Sequence, residues 1–529
     1  MVKIELYDTT LRDGAQREGI SFSVLDKLHI AQKLDEFGVD YIEGGWPGAN
    51  PKDNEFFQRA IDIGFKHARL VAFGSTRKAG VAVETDTNIR ALIDSRAPVV
   101  TLVGKSSAPQ VEKVLATSLD ENINMVADSI HYLKSRGRTV FFDAEHFFDG
   151  YKADKQYSLK VLAAAADAGV DCLVLCDTNG GTLPDEIAEA VRTVATAIKA
   201  PVGIHAHNDA EVAVANTLAA VKAGASQVQG TINGYGERCG NANLCSIVPA
   251  LKLKMGLDVI GEEKLSRLTD LAHFVSEVAN LAPDPFLPYV GHSAFTHKAG
   301  LHVSGLSRWA FAYQHIDPAA VGNKPRTLVS ELAGRTNIIQ RAQEIGVNLS
   351  PKSQEAQDLL ERVKNLESMG FQYENAEASF DLLVHRASPG YAPPFNLIDF
   401  MVIVEKRRRP PIVACEQEEM MSEAVVKVRV NGEIMHTAAE GSGPVNALDA
   451  ALRKALLPFY PALDTVKLTD FKVRILEEST GTESLVRVLI ESSDGTDEWH
   501  TVGASANIIE ASWLALVDSL EYFLIKRPA

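Results

Sequence analysis

Eight short strand-like runs alternate with eight helical patterns over the first half of the chain, and unusual polar residues follow nearly every run. Beyond residue 421 the rhythm changes to hairpins that end in helices, with a second copy roughly 60 residues later. These two observations predict an α/β protein in three parts. A (β/α)8 TIM barrel is expected over residues 1–275 and a helical connector over 276–420. A C-terminal α+β domain of duplicated βββα units is expected over 421–529. A length of 529 residues agrees, because it exceeds what one hydrophobic core supports.

The predicted strands are 3–7, 41–43, 68–72, 99–103, 139–143, 172–175, 202–205 and 227–232. Helical periodicity covers 24–36, 55–63, 86–94, 119–136, 158–168, 184–197, 212–223 and 244–253. A doubly wound open sheet could use the same alternation. The barrel is favoured because the polar clusters all follow strands, where a barrel builds its active-site rim. Asp8 to Gln16 follows the first strand, Glu43-Gly44-Gly45-Trp46-Pro47 the second, and Gly104-Lys105-Ser106-Ser107 the fourth. The fifth delivers Asp143 and Glu145, two apart and so on one face. Cys176-Asp177-Thr178-Asn179-Gly180-Gly181 ends the sixth.

The seventh strand carries His205 and His207, also two apart, so both imidazoles point to one side. Two neutral imidazoles at a strand end are two thirds of a divalent-metal site. Asn241 follows the eighth strand and a turn bearing Gly234, Gly236 and Gly240, and its amide oxygen is a possible third ligand.

Residues 283–310 break the barrel rhythm with Pro and Gly and carry His292, His297 and His302. Three histidines in so short a polar loop suggest that at least one does chemistry. Residues 337–395 read as mostly helical, and Arg407-Arg408-Arg409-Pro410-Pro411 as an exposed turn. Farther on, alternating runs flank Asn431-Gly432, a strong hairpin signal. Gly443-Pro444 then opens a helix, and the scheme recurs to Leu524. This part reads as a dimerisation module or as a sensor for a small metabolite.

Hydrophobic content of 46% and charged content of 23% are ordinary for a globular protein. A net charge of −16 argues against nucleic acid or an anionic membrane as the main partner. The five cysteines form no C-x-x-C pair and read as reduced thiols. No apolar run approaches spanning length, and the N-terminus enters a strand directly. A cytoplasmic protein without membrane span or signal peptide is expected.

Three motifs carry a family resemblance: L-R-D-G-x-Q at 11–16, H-x-H-N-D at 205–209 and N-G-x-G-E-R-x-G-N at 233–241. They resemble the isopropylmalate and homocitrate synthase family. Within it, the stretches at 143–150, 367–371 and 376–380 look like the long-form citramalate synthase branch. The resemblance covers nearly the whole chain. It implies a catalytic barrel and a divalent metal (Mg, Mn or Zn) held by Asp13, His205, His207 and Asn241. It implies acetyl-CoA condensing with a 2-oxo acid, and a homodimer whose C-terminal regulatory domain binds a feedback amino acid, isoleucine if the product feeds that pathway. Two positions depart from the family. Ala210-Glu211 stands where relatives commonly have a small Gly. Ser107-Ala108-Pro109-Gln110 stands where they usually carry an aromatic residue and then a histidine.

The chemistry of a Claisen condensation then assigns roles. The 2-oxo acid must be held and its ketone polarised, which a metal does as template and Lewis acid. Arg12 is expected to stabilise charge on the ketone oxygen. Asp13, Asp143 and Thr178 are expected around the substrate, with Thr178 on its carboxylate. Glu145, His302 and Tyr313 are the candidates for handling the acetyl-methyl proton, by loop position and resemblance. If the substrate is pyruvate, Phe73 and Leu102 are expected to close the pocket around its methyl. Three other readings stay open: a relative using a larger 2-oxo acid, a metal-dependent aldolase or lyase, and an amino-acid sensor on a retired barrel.

Overall fold

A computed structural model describes residues 3–297, 302, 305–306, 308–327, 342, 345, 347, 353–373, 376–388, 390–406, 420–476 and 484–527. The chain divides into two units, residues 1–295 with 314–325, and residues 296–313 with 326–529.

The first unit is the expected barrel. Its strands are β1 (Glu5–Asp8), β2 (Tyr41–Gly45), β3 (Arg69–Ser75), β4 (Val99–Lys105), β5 (Thr139–Glu145), β6 (Cys172–Asp177), β7 (Val202–Ala206) and β8 (Gln227–Gly230). They pair in parallel in chain order, and β1 closes on β8 with Glu5 beside Gln227. Period-two alternation splits each strand between two layers. One set of side chains, including Tyr7, Tyr41, Val71, Val99, Phe141 and Val174, fills the barrel interior. The other set, including Leu6, Ile42, Leu102, Phe142, Leu175 and Ile204, packs into the surrounding helical layer.

The helices start where capping chemistry lets them. Ser23 accepts from the Asp26 amide, and Asp26 reaches back in a capping box for Val24–Phe37. Asn50 caps Pro51–Ile63, whose proline occupies the first turn and starts the helix four residues before the periodicity does. A further helix, Phe147–Ala153, sits directly after β5 and was not legible as one. Its N-cap, His146, has a left-handed φ of 56°. The departure at Ser107 to Gln110 forms a helical turn that continues into Val111–Leu115.

The second unit contains two helices, Gln354–Ser368 and Glu377–Arg386, and the duplicated βββα scheme. The first copy pairs Phe395–Lys406, Met420–Val430 and Glu433–Gly441 in antiparallel order and ends in helix Pro444–Leu456. Its hairpin turns at Asn431 and Gly432, whose φ values of 48° and 88° suit the mirror-image tight turn. The second copy pairs Lys467–Ile475, Val486–Ser493 and Glu498–Ser505 and ends in helix Ile508–Lys526. Val426, Val428, Leu448, Leu452, Val488, Ile490, Leu516 and Leu520 share one apolar core across both copies. The first strand of the first copy starts at Phe395, ahead of residue 422, where the alternation becomes visible in sequence. The Arg407 to Pro411 run lies outside the described residues. Among the described residues, no helix is long and apolar enough to cross a membrane.

Candidate metal centre and substrate pocket

The rim loops bring Asp13, His205 and His207 together, all buried, with one ligand atom from each inside a 4.8 Å sphere of mutual distances. His205 Nε2 lies 3.2 Å and His207 Nε2 3.8 Å from Asp13 Oδ2, and the two Nε2 atoms are 3.4 Å apart. Asn241 joins them, with its Nδ2 2.9 Å from Asp13 Oδ2 and 3.2 Å from His205 Nε2. Asp13 Oδ1, Asn241 Oδ1 and His207 Nδ1 are buried without a hydrogen-bond partner. The atoms that converge are Asp13 Oδ2 and the two imidazole Nε2 nitrogens, lone-pair donors that a cation would bind. One carboxylate and two imidazoles fit a divalent ion, and Asn241, whose NH2 faces Asp13 and His205 here, offers its amide oxygen only with its side-chain amide turned over.

Local backbone geometry fixes this convergence. His207 and Asn241 form a β-bridge, and Asn208 N donates to Gly240 O at 2.8 Å. Arg238 clamps Asp209 with two hydrogen bonds of 2.7 and 2.9 Å and donates to Thr178 O at 2.8 Å, so three rim loops are tied together. Gly236 faces Asn241 so closely that an added Cβ would stand 1.8 Å from Asn241 Oδ1.

The electrostatics separate the roles. Burial alone would raise the Asp13 carboxyl, but Arg12 together with His205 and His207 outweighs it and holds the group well below the usual carboxylate range. Burial, with His205 beside it, pushes His207 down to about 4, leaving a neutral ring. Burial would lower His205, yet the hydrogen bond and charge of Asp13 raise it.

Arg12 lies beside this cluster. Its Nε donates to Glu43, its Nη1 is 3.4 Å from Asp13 Oδ2, and its guanidinium sits 3.9 Å from the Phe73 ring centroid. Glu43 is fully buried and also accepts from Tyr7 Oη, which contacts Thr101 Oγ1 at 2.8 Å. Asp143 is buried below, where desolvation pushes its carboxyl up to about 7. Thr178 Oγ1 accepts from the His146 amide at 2.8 Å. Glu145 is ion-paired with Lys105.

One expected residue of the barrel turns away from the group. Leu102 is a correction: Thr101 turns into the barrel, so alternation sends Leu102 outward into the helical layer, fully buried. Its position gives it no access to substrate. His302 and Tyr313 belong to the second unit, where their rings stack at 4.1 Å. Tyr7 and Gln229 were missed, while Glu43 and Arg238 were read only as parts of a rim loop and a motif and given no role. Gln227 and Gln229 carried a usable signal, being two apart on β8 just as the histidines are on β7.

Comparison with known proteins finds family matches over most of the chain. The HMGL-like family matches residues 3–275, the homocitrate synthase post-HMGL domain-like family 289–370, and the LeuA allosteric (dimerisation) domain 374–524. The chain is 54% identical over 526 residues to the (R)-citramalate synthase of Geobacter sulfurreducens, covering 99% of this chain and 98% of that protein. It is 53% identical over 525 residues to the (R)-citramalate synthase of Aquifex aeolicus, with the same coverage. A probable 2-isopropylmalate synthase of Methanopyrus kandleri is 32% identical over 528 residues, 99% of each chain.

Proposed function

The chain belongs to the (R)-citramalate synthase family, and from that premise we propose how its residues divide the work of joining acetyl-CoA to pyruvate and releasing citramalate and CoA. It is an acyltransferase of the condensing type, in which the acyl group becomes an alkyl group on transfer. The family depends on a divalent metal. Asp13, His205, His207 and the Asn241 amide oxygen would hold it, and Mg, Mn and Zn all suit mixed oxygen and nitrogen ligands. When bound, such an ion supplies Lewis-acid polarisation of the ketone and a template for the 2-oxo acid.

The remaining steps fall to side chains. Arg12 is held rigid by Glu43 and Phe73, so its free N–H groups can meet negative charge growing on the ketone oxygen without reorganising. Phe73, edge-to-face with Trp46 at 5.5 Å, closes the apolar side where pyruvate places its methyl. Thr178 orients the substrate carboxylate, and Asp143 supports the pocket from below. Glu145 is assigned to the acetyl thioester, its charge restrained by Lys105. The roles of His302 and Tyr313 as the base rest on resemblance alone. The LeuA allosteric (dimerisation) domain match supports a dimer with a regulatory C-terminal domain. Isoleucine as the feedback amino acid and a cytoplasmic location rest on the family resemblance.

The convergence of Asp13, His205 and His207 beside Arg12 carries this reading. CoA release with pyruvate, 2-oxoisovalerate and 2-oxoglutarate, each with and without chelator, tests it. Pyruvate should be preferred and chelator should abolish release. Preference for a larger acid, or activity indifferent to chelator, would overturn it.

A further inference from the structure

A line of polar side chains runs up the barrel interior and ends on His205. Gln227 and Gln229 are fully buried within it. Gln227 Nε2 donates to Glu5 Oε2 at 3.4 Å. Gln229 Nε2 donates to Gln227 Oε1 at 3.4 Å and to Asp143 Oδ1 at 3.3 Å. Gln229 Oε1 lies 2.9 Å from His205 Nδ1. The register makes this contact unavoidable, because His205 and Gln229 are neighbours across β7 and β8.

A primary amide has one accepting end and one donating end. A carboxylate only accepts, and Tyr41 Oη donates to the other Glu5 oxygen at 3.2 Å. Gln227 therefore turns its NH2 toward Glu5 and its oxygen toward Gln229. That oxygen and Asp143 hold the NH2 of Gln229, which leaves only Oε1 to face His205. A hydrogen must then sit on His205 Nδ1. The Nε2 lone pair is left pointing at Asp13, His207 and Asn241.

We infer that Gln229 is a positioning residue: its amide, oriented from below by Glu5 through Gln227 and by Asp143, selects the His205 tautomer and ring angle that accept a divalent cation. The inference rests on the metal site proposed above. Hydrogen-bond partners of metal-bound imidazoles set ligand orientation and basicity in this way, and their loss weakens metal binding about 10–100-fold.

The test is titration of metal-stripped full-length protein with Mn2+ by calorimetry, alongside melting of the metal-free protein. Wild type should bind, and His207→Ala should not. If wild type binds no Mn2+, the metal site itself fails. Given binding by wild type, Gln229→Met should weaken it by about 10–100-fold in metal-free protein that still folds and melts cooperatively. Gln229→Glu keeps an acceptor toward Nδ1 and should recover most of the affinity. Glu5→Gln, isosteric and remote from the cation, lets the line of amides reverse and should weaken binding several-fold. Wild-type affinity in Gln229→Met, or no recovery in Gln229→Glu, overturns the inference while leaving the metal site standing. If Gln229→Met fails to fold, Glu5→Gln decides: weakened binding supports the inference and unchanged binding overturns it.

Discussion

Asp8 ends β1 with its carboxyl group fully buried and hydrogen-bonded to Thr10. It accepts from the Thr10 amide at 2.9 Å and shares a 2.8 Å hydrogen bond with the Thr10 hydroxyl. Burial outweighs these bonds and pushes its pKa from 3.8 to about 7. Folded protein then holds a proton that unfolded protein has lost, so this group's contribution to stability falls as pH rises from 3.8 to about 7. Asp8→Asn should flatten that dependence, gaining on the order of 4 kcal/mol relative to wild type between the ends of the window. Melting followed across pH 5 to 8 in both proteins checks it, and parallel curves would contradict it. The pocket residues make a paired prediction. Leu102→Ala should cost about 2–5 kcal/mol in stability and leave the ratio of pyruvate to 2-oxoisovalerate turnover unchanged. Phe73→Ala should shift that ratio toward the larger acid by about 10–200-fold. Competition assays and denaturant melts on the two variants separate these outcomes.

At the scale of elements, all eight barrel strands were legible because each is an apolar run closed by polar residues. What alternation could not supply was the pairing across the barrel. Glu43, Tyr7 and Thr101 come from three strands, and only closure shows that they form one network around Arg12. Leu102 went wrong for a related reason: in a strand buried on both sides, hydrophobicity does not say which face is which. Its neighbour Thr101, paired with Tyr7, does. The candidate ligands His205 and His207 were read more securely, since their two-residue spacing fixes a shared face in any strand. The loop from Asn233 to Asn241 adds a prediction of its own. Gly236→Ala should displace Asn241, because the new Cβ would stand 1.8 Å from its Oδ1. Mn2+ affinity and CoA release should fall together while the barrel's melting temperature moves little. Wild-type affinity in this variant would remove Asn241 from the ligand set.

For the whole molecule, the duplicated βββα scheme was visible in sequence, but its first strand was hidden. Phe395–Lys406 is followed by the Arg407 to Pro411 run, which masks the strand's pairing with Met420–Val430. If the C-terminal domain binds isoleucine, the amino acid should raise the melting temperature as its concentration rises and should slow CoA release. Valine and leucine serve as controls, and an isoleucine-insensitive enzyme would assign this domain to dimerisation alone. The proposed catalysis depends on three rim loops meeting at one cation. The direct test is anomalous scattering from crystals of the protein grown with Mn2+. One peak should appear about 2 Å from Asp13, His205 and His207 together. A peak elsewhere, or none at this cluster in a crystal whose enzyme is active, would contradict the account.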